Sequence, residues 1–170
     1  MKLKNKILVI AAHPDDEVLG CAGTLLKHAK NNDEILILFA SDGESARILG
    51  SKKIDFRKKQ ARKVAKILNA KKPLFLDFPD NQLDKINILK IARSFEKIVK
   101  KFKPDIIYTH HYNDLNIDHR LTFEATMIAC RPHAKSNIKE IYCFEILSSS
   151  GWRGISNLDF KPTVYIDIKD

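Results

Sequence analysis

Short apolar runs of strand length alternate along this chain with longer stretches of helical spacing, and no other feature limits the fold as much. Residues 6–12 (KILVIAA), 34–40 (EILILFA), 74–77, 105–109 (DIIYT) and 139–146 read as strands, with 164–168 as a sixth. Residues 17–31, 54–69, 87–102 and 119–130 carry the periodicity of helices. Val18, Leu19, Ala22, Leu25, Leu26 and Ala29 make the apolar stripe of the first helix. Phe56, Ala61, Val64, Ala65 and Leu68 make that of the second, and Ile88, Ile91, Ala92, Phe95, Ile98 and Val99 that of the third. Unbroken apolar runs joined by crossover helices predict an α/β fold: a three-layer α/β/α sandwich whose mostly parallel sheet is covered on both faces. The length suits one domain over residues 1–170. Internal repeats and low-complexity linkers are absent, and residues 148–159 are the only long stretch that reads as a free loop.

Several function classes drop out early. The formal net charge is +9, but the lysines are spread along helix-like segments, with one denser cluster at Arg57-Lys58-Lys59. No RNA- or DNA-binding motif accompanies that charge, so no nucleic-acid partner is expected. The three cysteines form no C-x-x-C pair and are odd in number, which predicts no disulfide framework and a reducing compartment. No apolar run nears the roughly 18 residues that would suggest a transmembrane segment. The basic start of the chain leads into a strand-like run followed by charged residues, a poor leader peptide. A cytoplasmic protein is expected. A homo-oligomer is compatible with the sequence, which does not set the number of subunits.

In an open parallel sheet the ligand site lies beyond the carboxyl ends of the strands. That rule selects the loops after Ala12, Ala40, Asp77 and Thr109. The first reads His13-Pro14-Asp15-Asp16-Glu17, four ionisable groups in five positions. A turn with an aspartate capping the next helix would use some of them. Imidazole and carboxylate together also suit zinc, and two adjacent carboxylates can divide the work, one holding metal and one taking a proton. The loop after the fourth strand, His110-His111-Tyr112-Asn113-Asp114-Leu115-Asn116-Ile117-Asp118-His119-Arg120, carries three of the six histidines. Together the two loops can supply three ligands and leave one coordination position open, as catalytic zinc sites do. Residue types alone do not say which side chains these are. Asp77 to Gln82 lies on the same edge and reads as a turn or a pocket loop; Trp152 reads as a loop anchor or a platform for a sugar ring.

His13-Pro14-Asp15-Asp16-Glu17 after a first strand, with Asn116-Ile117-Asp118-His119-Arg120 after a later one, resembles the LmbE/PIG-L deacetylase family. Leu19-Gly20-Cys21-Ala22-Gly23-Thr24, Ser41-Asp42-Gly43-Glu44 and Arg57 add to the resemblance. It implies a Rossmann-like fold and zinc-dependent hydrolysis of N-acyl groups, usually on amino sugars. It implies His13, Asp16 and His119 as ligands of one Zn2+ per chain, and Asp15 as general base. Arg57 and Asp42 would face the substrate, an N-acetylated amino sugar or sugar conjugate. Many members carry a histidine, held to steady the oxyanion, where this chain has Asn116. Asn116 can donate a hydrogen bond there but cannot shuttle a proton, and His110 or His111, the latter preferred, is expected to complete the catalytic set. Asp118 is expected to fix a histidine tautomer from behind. Relatives usually continue past the strand that residues 164–168 resemble, so the chain is expected to lack the family's usual C-terminal extension. Two rival readings are an amidase acting on a thiol-sugar conjugate and a non-catalytic nucleotide- or anion-binding module. The latter lacks both G-x-G-x-x-G and Walker A patterns, and Gly20-Cys21-Ala22-Gly23 falls inside a helical pattern, where it serves close packing.

Overall fold

A computed structural model describes residues 4–48, 50–132, 136–154 and 158–169. Five strands form one sheet: β1 (Lys6–Ala11), β2 (Glu34–Ser41), β3 (Leu74–Phe78), β4 (Ile106–His110) and β5 (Glu140–Phe144). All neighbouring pairs are parallel, in the order β3-β2-β1-β4-β5. The expected α/β, Rossmann-like architecture is therefore what the chain adopts, with a sheet that is parallel throughout. Four helices connect the strands: α1 (Asp16–Lys30), α2 (Ile54–Ile67), α3 (Ile88–Phe102) and α4 (Ile117–Ala129).

The apolar runs are strands because both of their faces are buried. Ile7, Val9 and Ala11 of β1 and Ile35, Ile37 and Phe39 of β2 pack against α1 and α2. Their neighbours Leu8, Ile10, Leu36 and Leu38 pack on the other side against α3 and α4. Period-two alternation sends successive side chains to opposite layers. Asn87 caps α3, its side chain accepting the Leu89 amide, and Lys103 ends that helix in the left-handed region just before Pro104.

Some expectations fail. Residues 164–168 carry the alternation of a strand but form none; they lie beside α1, where a Cβ on Gly23 would be 3.0 Å from Ile168. Val18, Leu19 and Leu26 of α1 and Phe56 of α2 are exposed. Helix α1 kinks at Cys21, so its apolar residues do not make one continuous stripe; Cys21 and Leu25 are the apolar ones that reach the core. Gly20 does serve close packing, against Phe144. Part of the expected free loop is fixed: Ser149 and Ser150 both donate to Asp114. Residues 155–157 of that loop lie outside the described residues.

Candidate metal centre

The strand order reverses direction at β1, so the loops that leave β1 and β4 open side by side at the carboxyl edge of the sheet. One hydrogen bond ties them, the Ala12 amide donating to His110 Nε2 at 2.9 Å. His13 follows β1, Asp16 opens α1, and His119 lies in the first turn of α4. All three are buried. His13 Nδ1 and His119 Nε2 are 3.2 Å apart, and the Asp16 carboxylate is 3.3 Å from the first and 3.4 Å from the second.

The opposite nitrogen of each ring is held by carboxylates. His13 Nε2 is 3.2 Å from both Asp80 Oδ1 and Asp118 Oδ2, and His119 Nδ1 is 3.2 Å from Asp114 Oδ1. With protons on those outer nitrogens, the inner nitrogens present lone pairs. Two lone pairs and a carboxylate facing one another in a buried space call for a cation between them. Tetrahedral zinc with bonds of about 2.0–2.1 Å spaces its ligands about 3.3–3.4 Å apart. The spacings of 3.2–3.4 Å therefore fit the ion. Without metal, the same contacts favour protons. Burial opposes charge on His119, but Asp114 and Asp16 lift its pKa to about 9. Burial likewise works against Asp16, yet His110, His119 and His13 hold it well below the usual carboxylate range.

Asp118 and Asp114 are themselves well supported. Asp118 accepts the amides of Asn81 at 2.8 Å and Leu83 at 3.1 Å. Asp114 accepts the Asn116 amide at 2.8 Å and the hydroxyls of Ser149 and Ser150 at 3.0 and 2.7 Å. Burial pushes Asp114 up, but His119, Ser150 and the Asn116 amide bring it down to about 2. Sequence reasoning missed Asp114 and Asp80. The only available signal was that a ligating imidazole needs an acceptor behind it, and the 3.6-residue turn and loop geometry that deliver one are not visible in spacing.

The cluster floors a cleft of about 470 Å³, lined by Asp15, Arg57, Asn81, Asn116 and Ser149 among others. A larger groove of about 670 Å³ runs along α1 and β5 and contains none of the three clustered ligands. Asp15 stands at the cleft with an unusual backbone, φ 155 and ψ −22, and its side chain is about half exposed. Burial and the neighbouring Asp16 raise its pKa, while Arg57 pulls it back. Glu17 accepts the Asp15 amide at 3.1 Å, and burial drives its own pKa up to about 8. Asn116 caps α4, its Oδ1 accepting the Asp118 amide at 2.8 Å, which turns its amide nitrogen away from that bond.

Two expected site residues, His111 and Asp42, do not line the cleft. His111 packs its ring on Tyr112 and Phe160 and does not line the cleft, because it falls one residue past the end of β4. His110, the last residue of β4, is the histidine that reaches the cluster: it stacks on His119 at 4.0 Å, and burial keeps it neutral, with a pKa of about 4. Asp42 spends Oδ1 on the amides of Glu44 and Ser45, so it shapes its own loop instead of facing the cleft. Arg57 does line the cleft, with Nε and Nη1 bonded to Glu44, Pro14 and Asp15. Trp152 is exposed, its indole donating to Leu147 O at 3.3 Å, as a loop anchor does.

Residues 8–130, which hold this whole cluster, match the PIG-L family, described as GlcNAc-PI de-N-acetylase. The chain belongs to the PIG-L family. It is 31% identical over 169 residues to the uncharacterized deacetylase YaiS of Escherichia coli (strain K12), covering 96% of this chain and 82% of that protein. It is 25% identical over 133 residues to a probable N-acetyl-alpha-D-glucosaminyl L-malate deacetylase 2 of Bacillus anthracis, covering 74% and 59%. Among solved structures, the N,N'-diacetylchitobiose deacetylase of Pyrococcus horikoshii superimposes with a TM-score of 0.67 at 26% identity, covering 74% of this chain and 49% of that one. The chain thus spans most of one such relative but only about half to three fifths of the other two. Among the described residues, no helix is long and apolar enough to cross a membrane.

Proposed function

We propose that this PIG-L family member is a zinc-dependent hydrolase that removes the N-acetyl group from an amino sugar or sugar conjugate. The observation that carries the reading is the convergence of His13 Nδ1, His119 Nε2 and Asp16 at 3.2–3.4 Å, with both outer ring nitrogens held by carboxylates. His13, Asp16 and His119 would hold one zinc ion, which when bound acidifies water and polarises the acyl oxygen. Asp118 and Asp80 keep His13, and Asp114 keeps His119, in the ligating tautomer. Asp15 takes the proton from the attacking water, and the water oxygen bonds to the amide carbon. Asn116 donates from its amide nitrogen to the developing oxyanion. Asp15 then returns the proton to the nitrogen as the C–N bond breaks, leaving acetate and a free amine. The relatives named for glucosaminyl and chitobiose substrates support the N-acetylglucosamine type. Three carboxylates, Asp15, Asp16 and Asp80, line the cleft beside Arg47 and Arg57, and the chain has no phosphate-cradling glycine pattern, which disfavours the anion-binding module.

Acetate release from a panel of N-acetylated amino sugars, with and without a chelator, tests the proposal. Release that stops with chelator and returns with zinc is expected. Asp15→Asn should retain zinc and lose turnover by about 10²–10⁴-fold. Chelator-resistant release, or none from any N-acetyl sugar by the zinc-loaded protein, would refute it.

A further inference from the structure

The Arg57 guanidinium stands between two carboxylates and bonds inward. Nε donates to Glu44 Oε1 at 2.7 Å, while Nη1 donates to Asp15 Oδ2 at 2.9 Å and to Pro14 O at 3.0 Å. The Arg57 side chain is 18% exposed and that of Asp15 46%. The more buried partner is thus the anchor and the more open one the group being held. Glu44 is fixed in turn. Its amide and that of Ser45 donate to Asp42 Oδ1. Gly43, at φ 67, lets this loop close on the preceding one: a Cβ there would lie 2.9 Å from Pro14 Cδ and 3.5 Å from Arg57 Cδ. The loops after β1 and β2 and the first turn of α2 all meet at this one guanidinium.

Asp15 needs such a hold. It occupies the N-cap position of α1 without using its side chain as a cap, and its backbone conformation is one that L residues rarely adopt. A half-exposed carboxylate on that backbone has water to turn into. We infer that Arg57, braced by Glu44, is the positioning residue for Asp15: it occupies Oδ2 and leaves Oδ1 as the oxygen open to a proton. The inference rests on the deacetylase reading for what Asp15 does, and it departs from a substrate-contact role for Arg57. A fork-shaped donor suits the task, since one planar group can reach two carboxylates and a carbonyl at once.

The test compares Arg57→Ala, Arg57→Lys, Glu44→Ala and the Arg57→Ala/Glu44→Ala pair in zinc-loaded full-length protein. Misplacing a reacting group by about 1 Å can cost about 10²-fold, so kcat of Arg57→Ala should fall about a hundredfold while KM and zinc content stay near wild type. Arg57→Lys should recover part of the loss. Added methylguanidinium should restore Arg57→Ala but not Asp15→Asn. Glu44→Ala should cost less than Arg57→Ala and add nothing on top of it, because both act through one carboxylate. A raised KM with unchanged kcat would overturn the inference in favour of a substrate contact. A second readout needs no turnover. The Hα–Hβ couplings of Asp15 should report one side-chain rotamer in wild type and averaging in Arg57→Ala. A single rotamer persisting in Arg57→Ala overturns the inference even if no sugar is deacetylated, so its failure and that of the proposed function are separately visible.

Discussion

Gly20→Ala is expected to damage the metal centre from a position that ligates nothing. A Cβ at Gly20 would lie 2.3 Å from Phe144 Cδ2, 2.7 Å from Cγ and 2.9 Å from Cε2. Carbon contacts are comfortable from about 3.5 Å, so the ring would have to retreat by more than about 1 Å. It has little room. Phe144 is 4% exposed and meets the His110 ring edge-on at 4.8 Å, and His110 stacks on His119 at 4.0 Å. Overpacking of this kind costs about 1–3 kcal/mol, against which the helix gains at most about 1 kcal/mol from replacing glycine. For a chain of this size a net loss of about 1–2 kcal/mol lowers Tm by roughly 2–8 °C. The push also ends on His119, a proposed ligand, so zinc affinity should fall alongside stability. Thermal unfolding with and without zinc, and competition for zinc with a chromophoric chelator, measure the two effects. Phe144→Leu should relieve both in the Gly20→Ala background. A Gly20→Ala protein with wild-type Tm and zinc affinity would refute the chain of contacts from Gly20 to His119.

The carboxylates behind the ligands give the next expectation: Asp114→Asn and Asp118→Asn should each weaken zinc binding about 10–100-fold while keeping all three ligands, as read by chelator competition. In metal-free protein, His119 has a folded pKa of about 9 against about 6.5 when unfolded. Because the folded value is the higher one, its contribution is complete below about pH 6.5 and is lost as pH rises through 9, up to about 3 kcal/mol. Denaturant titrations at pH 6 and 9 should show that loss in the apo form and a much smaller one with zinc bound. Asp114 runs the opposite way: held at about 2 when folded, it stabilises above about pH 4 and ceases to as pH falls through 2. Asp114→Asn should flatten the acid limb of the stability profile.

Much of the fold was legible because the strands are buried on both faces. A run such as residues 34–40 has no polar face to confuse it with an amphipathic helix. The failures share one cause. Val18, Leu19, Leu26 and Phe56 fit a helical stripe, yet whether a stripe is covered depends on what packs over it, and spacing does not carry that information. Residues 164–168 alternate correctly for a strand and, among the described residues, are left without a partner strand. In the site, the motif placed His13, Asp15, Asp16 and His119 around one cleft. The structure brings His110, and not the preferred His111, to the cluster, and a signal for that existed. Ile106, Tyr108 and His110 share one face of β4, the face toward α1, and period two along DIIYT-His110 carries that face to the cluster. Asp114 and Asp80 gave no such signal, because their geometry comes from loops.

The strand order explains how so small a set of side chains converges on the proposed metal site. Ala12 and His110 are 98 residues apart in sequence, yet they share a hydrogen bond because β4 lies directly beside β1. The carboxyl ends of two adjacent parallel strands, each followed by a helix that runs to a different face of the sheet, leave a gap between the two helix starts. Asp16 enters that gap from α1 and His119 from α4, while His13 and His110 supply its floor. The proposed ligands therefore come from elements that the sheet already holds rigid. The carboxylates of Asp114 and Asp118 are set by backbone amides and serine hydroxyls. Arg57 is the exception, a long cation brought in from α2. It does not touch the ligands; it reaches Asp15, the one acid in the cleft that must stay open to solvent while keeping a fixed direction. A rigid sheet edge can place ligands by itself, but a half-exposed acid at a helix N-cap needs a tether, and the Glu44–Arg57 pair supplies it.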